Sequence, residues 1–151
     1  SGISPVMATV ILVAIAIVIA IAVAFWATGL VGVFTRFEKL EITSVYATPT
    51  GEEANQYDIT IRAKNTGSSP ATVDEIHLNG VPICDSGGTT DNTPPGIAEV
   101  NTCPDNLPDT LNPGETGQYT VTVTANNPGV TVEVALHTAS GKLYPYSVLL
   151  P

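Results

Sequence analysis

The chain changes its hydrophobic period once. From Ser1 to Phe34 no side chain is charged, and the first that is, Arg36, lies just beyond. Val, Ile, Ala and Leu follow one another without the polar positions that would leave a stripe, so a helix built from them is apolar on every side. Ser4 before Pro5 is a start signal: the serine can cap orphan N–H groups, and proline loses nothing at the first helical position. Neither Pro nor Gly recurs until Gly29, so the helix is expected to be continuous. Phe34, Phe37 and Leu40 keep helical spacing, which carries the expected helix on to about Phe37.

Beyond it the period becomes two. Tyr57, Ile59, Ile61 and Ala63 alternate with Asp58, Thr60, Arg62 and Lys64. Tyr119, Val121, Val123 and Ala125 alternate with threonines, and Val130, Val132, Val134 and Leu136 with Thr131, Glu133, Ala135 and His137. These patterns predict half-buried antiparallel strands. Leu40–Ile42, Ile76–Leu78 and the run Tyr144, Tyr146, Val148, Leu150 add shorter ones. Asn79-Gly80 is a hairpin signal, and turns are expected at Asn65-Thr66-Gly67, Asn126-Asn127-Pro128-Gly129 and Ser140-Gly141. About seven short strands so spaced predict an immunoglobulin-like antiparallel β-sandwich. The fold class is therefore α+β: a helical segment over 1–38 and a sandwich head over 39–151. Residues 85–113, rich in Gly, Thr, Asp, Asn and Pro, read as a long irregular loop.

Charge sharpens the division. The chain has 151 residues, Lys+Arg 5 against Asp+Glu 14 and a formal net charge of −9, all of it after the apolar segment. Arg36, Lys39, Arg62, Lys64 and Lys142 form no basic stripe, so nucleic acid is not an expected partner. Cys84 and Cys103, which bracket most of the expected loop, suggest a disulfide in a domain lying outside the membrane.

The apolar segment has three readings. A secretory signal would show a basic front and a shorter apolar core. A plain membrane anchor is the simplest alternative, since thirty residues of helix span roughly 45 Å against a hydrocarbon core of roughly 30 Å. The third is a helix that lies first in a bilayer and then in the apolar core of a polymer. Ala8, Ala16, Ala20, Ala24 and Ala27 favour this one, because Ala16, Ala20 and Ala24 form the i, i+4 row that lets helices approach closely.

The start Ile3-Ser4-Pro5-Val6 and the Ala/Val/Ile run after it resemble the mature N-terminus of archaeal type IV pilins. The resemblance covers roughly the first thirty residues, and archaellins are a related second match. It implies that a peptidase removed a short basic leader ahead of Ser1, and that Ser4, Pro5 and the alanine row serve polymerisation. It also implies transient contact with the membrane, prepilin peptidase and the assembly ATPase and platform. The early carboxylate typical of bacterial relatives is replaced here by Pro5, so no assembly role is carried over to it. Phe34, Arg36, Phe37 and Lys39 mark the expected join between helix and head, with the stretch 36–41 expected to lie between subunits.

Little else suggests chemistry. His77 and His137 are expected on the surface, and with Cys84 and Cys103 they match no zinc spacing. Asp74-Glu75 and Glu52-Glu53 read as solvated charge. No nucleophile elbow, zincin motif or phosphate-cradling loop occurs, so neither an enzyme nor a cofactor is expected. The outward threonines Thr60, Thr120, Thr122, Thr124 and Thr131 suit strands, and could also give a hydroxyl-rich filament surface. The expectation is a self-associating pilus subunit exposed outside the cell, with a membrane-anchored binding module as the alternative.

Overall fold

The computed structural model describes residues 4–151, with the backbone alone over 30–35. The chain divides into two compact units between Phe37 and Glu38. The first is helix α1, Pro5–Thr35. Ser4 starts it as expected: its Oγ accepts from the Val6 N–H at 3.1 Å and its carbonyl from the Ala8 N–H. The helix stops at Thr35, short of the expected Phe37. Beyond it the Lys39 carbonyl accepts from the N–H groups of Thr66 and Gly67, and the Glu38 side chain is bonded to Thr138 of the head.

The second unit is an antiparallel β-sandwich. Its strands are β1 (Leu40–Pro49), β2 (Gln56–Asn65), β3 (Ala71–Leu78), β4 (Val81–Asp85), β5 (Gly88–Thr89), β6 (Ile97–Thr102), β7 (Asp109–Leu111), β8 (Thr116–Ala125), β9 (Val130–Thr138) and β10 (Leu143–Leu150). One sheet has the order β1-β2-β8-β6, the other β10-β9-β3-β4-β5, with β7 also paired to β3. The α+β class is the one the period change predicts.

The core forms where the alternating faces meet. Ile59 and Ile61 of β2, Tyr119, Val121 and Val123 of β8, Val73, Ile76 and Leu78 of β3, and Val132, Val134 and Leu136 of β9 are all buried. Each fully buried Ile or Leu contributes roughly 1.5–3 kcal/mol. Leu40 and Leu150 join the same cluster from β1 and β10.

Turns follow their sequence signals. Asn79 and Gly80 both have positive φ, 51° and 80°, as a tight hairpin between β3 and β4 requires. Buried Asn65 fixes another: its Nδ2 donates to the carbonyls of Ser69 and Leu111, and its Oδ1 accepts from the Gly67 N–H.

Residues 85–113 depart from expectation. They contain β5, β6 and β7, rather than one irregular loop. β6 runs along β8 with register shifts at 97–99 and 100–102, and buries Ile97. Those shifts destroy the two-residue alternation that would have revealed the strand. β7 is three residues held against β3 at Ala71–Val73. Partners hold both strands in place, with little help from their own pattern.

Candidate functional site

The apolar helix is the first candidate. Its described side chains are exposed almost throughout, and Pro5–Gly29 is long and apolar enough to cross a membrane. Val6, Ile11, Leu12, Val18 and Val23 each leave more than half their surface uncovered, on different sides. Contiguous apolar exposure on this scale suits a non-aqueous surrounding, whether lipid or the helices of partners. The helix is prepared for one. Thr9 Oγ1 donates to the Pro5 carbonyl at 2.7 Å and Thr28 Oγ1 to the Ala24 carbonyl at 2.8 Å, so these hydroxyls need no water. Trp26 sits near the end of this stretch, where an indole ring suits a membrane interface.

The expected polymerisation residues are placed as follows. Ser4 and Pro5 form the helix start, while Ala8, Ala16, Ala20 and Ala24 are exposed and Ala27 is half-buried. Ala16, Ala20 and Ala24 share one lengthwise strip of an unbroken helix. Ser1, the expected cleavage end, lies outside the described residues, as does the Phe34 side chain. Arg36, Phe37 and Lys39 are exposed.

Glu38 is the structurally important residue of the join. Its Oε1 accepts from Thr138 Oγ1 at 2.7 Å and from the Tyr144 hydroxyl at 3.3 Å, and its carbonyl accepts from Lys142 Nζ at 3.1 Å. Partial burial, then the Glu38 charge, raises the Tyr144 phenol above its ordinary value. No local pattern singles out Glu38, because its partners lie about a hundred residues away.

Cys84 and Cys103 are joined in the expected disulfide, Cα–Cα 5.7 Å. It ties β4 in one sheet to the segment just after β6 in the other.

The histidines differ from expectation. His77 and His137 are only partly exposed, and their rings stack with centroids 5.4 Å apart and planes 2° from parallel. His77 Nε2 meets Glu75 Oε2 at 2.9 Å, and His137 Nδ1 meets Asp74 Oδ1 at 2.6 Å. Asp74 and Glu75 are therefore partners of the imidazoles. The register shift between Val73 and Glu75 brings both carboxylates to this pair. Among the described residues no group of three His, Cys, Asp or Glu is placed to hold a metal. Glu52 and Glu53 are exposed in the β1–β2 turn. Thr60, expected on an outward face, is nearly buried there at 7% exposure.

No family model matches the chain, and no characterised protein matches it in sequence. Solved structures show weak likeness. The archaellum periplasmic stator protein FlaG from Sulfolobus acidocaldarius is 15% identical, with 74% of this chain and 99% of that one covered and a TM-score of 0.38. The Iho670 flagellar-like filament is 18% identical over 98% of this chain and 99% of that one, TM-score 0.37. The VesB protease of Vibrio cholerae is 15% identical over 74% of this chain, TM-score 0.39, and the match spans about a third of that protease. All three TM-scores lie below 0.5, too low to bear on what this chain does.

Proposed function

We propose that this chain is the structural subunit of an extracellular helical filament of the type IV pilus kind, and that its activity is self-association. One observation carries the reading. A continuous helix, apolar on every side, is joined to a folded, disulfide-linked, acidic head. Water rejects the helix and accepts the head. A bilayer can hold the helix before assembly, and the packed helices of other copies can hold it afterwards. The alanine strip favours the second surrounding, since small side chains let helices come close. The resemblance of Ile3-Ser4-Pro5-Val6 to archaeal pilins supports the same reading, together with leader removal by prepilin peptidase and extrusion by an assembly ATPase and platform. Surface adhesion or cell–cell contact is the proposed use. A motility filament of archaellin type is the second reading, because the same all-round apolar helix would serve it.

The test is negative-stain microscopy of material sheared from the cell surface. Uniform filaments several nanometres wide that contain this chain are expected. Retention of the chain in the membrane fraction, with no filaments, would leave a membrane-anchored binding module.

A further inference from the structure

The outer face of the β1-β2-β8-β6 sheet carries a groove of about 520 Å³ that the polymer reading does not use. Its lining is polar and held in place. Asp58 Oδ1 accepts from Thr122 Oγ1 at 2.6 Å, which leaves its second oxygen for another donor. Gln56 Oε1 accepts from Thr50 Oγ1 at 2.6 Å, and Asn101 Oδ1 from Thr124 Oγ1 at 2.9 Å. With both amide oxygens engaged, the two NH₂ groups are the free ends of these side chains, and neither donates to a partner among the described residues.

Gln56 is the telling residue. It is only 7% exposed, yet no buried side-chain nitrogen or oxygen among the described residues lacks a partner. Its Nε2 therefore keeps an opening to solvent, and the groove it lines provides one. A nearly buried amide held at its oxygen and open at its nitrogen is a preorganised donor.

The chemistry of the lining selects the ligand class. An acceptor carboxylate beside two amide donors suits vicinal hydroxyls, each of which both donates and accepts. Glu52 and Asp58 give the groove negative charge, which disfavours phosphate, sulfate and uronate. A cation is disfavoured too: no suitable group of three ligands is present among the described residues. Apolar surface for the carbon face of a ring is close by. Pro49 lines the groove, and Tyr46, 48% exposed, stands opposite Thr60 just beyond the Thr48–Asp58 pair. We propose that this groove binds a neutral saccharide, with Asp58, Gln56 and Asn101 reading its hydroxyls and Tyr46 flanking its ring. The proposal is independent of whether the chain polymerises.

The test uses the full chain in detergent micelles on a printed array of neutral, sulfated and uronate-bearing glycans. Maltose, N,N′-diacetylchitobiose and calcium chloride are then titrated into the isotope-labelled chain. Binding confined to neutral glycans is expected, with saturable amide shifts near residues 49–58, 100–102 and 122. Asn101→Ala and Asp58→Asn should each weaken binding by about tenfold, as loss of one hydrogen bond of about 1.4 kcal/mol implies. Asp58→Asn can retain the Thr122 bond, so the fold is kept, and Thr131→Ala in the other sheet should change nothing. Silence across the neutral arm would overturn the proposal. So would equal binding of sulfated glycans, shifts at these residues with calcium alone, or undiminished binding in both groove variants.

Discussion

Thr138 Oγ1 donates a 2.7 Å hydrogen bond to Glu38 Oε1, joining the first residue of the head to the last residue of β9. Thr138 is fully buried, and the bond spans a separation of 100 residues. It closes the head where the chain enters it. Thr138→Val keeps the volume and removes the donor. The expected loss is about 2 kcal/mol, in the range for hydrogen bonds to charged groups. Thermal unfolding of the full chain in micelles, followed by β-sheet circular dichroism, measures it; a melting temperature unchanged from the parent would contradict the assignment.

The disulfide closes a separation of 19 residues. In the chain-entropy account such a link stabilises by about 3 kcal/mol. The Cys84→Ala, Cys103→Ala double variant should lose about that much in a denaturant titration. Hydrogen exchange should quicken first over 85–102, where β5 and β6 have the weakest patterns of their own.

Gly117 is required for space. A Cβ there would lie 2.6 Å from the Tyr119 hydroxyl oxygen and 3.1 Å from Leu111 Cδ2. Tyr119 is fully buried and donates to Asp109 Oδ2 at 2.8 Å, so it cannot move aside freely. Gly117→Ala should cost about 1–3 kcal/mol, the usual price of overpacking. Gly51→Ala meets no such atoms, although its positive φ of 78° adds backbone strain.

Tyr119 also predicts an alkaline limit. Burial, followed by the hydrogen bond to Asp109 and that carboxylate's charge, raises its phenol well above the ordinary value of 10.0. The folded state therefore holds this proton more tightly than the unfolded chain does. Its stabilising contribution is complete below about pH 10 and falls as pH rises beyond that. The melting temperature should decline above pH 10, and less steeply in Tyr119→Phe.

Ala20 tests the polymer. Ala20→Phe adds bulk to the alanine strip, where close helix packing tolerates little. Filament yield should collapse while the head keeps its circular dichroism and melting temperature. Filaments in normal yield would favour the anchor reading.

Sequence alone determined the parts whose causes are local. An uncharged run with neither Pro nor Gly between Pro5 and Gly29 permits one continuous helix with no polar face. Strict alternation at Tyr57–Ala63 and Tyr119–Ala125 marks β2 and β8 because side chains on a strand point to opposite sides in turn. Asn79-Gly80 specifies its hairpin because both positions need positive φ. Tertiary structure decided whatever depends on distant partners. β6 and β7 exist because β8 and β3 offer them edges, and bulges in β6 erase the alternation that would have announced it. Glu38 is held at the start of the head by Thr138 and Tyr144, about a hundred residues along the chain. Thr60 is covered on a face whose pattern reads as open, and His77 and His137 stack only because β3 and β9 lie side by side. The groove around Gln56 combines residues from β1, β2, β6 and β8, and no local period places those four strands together.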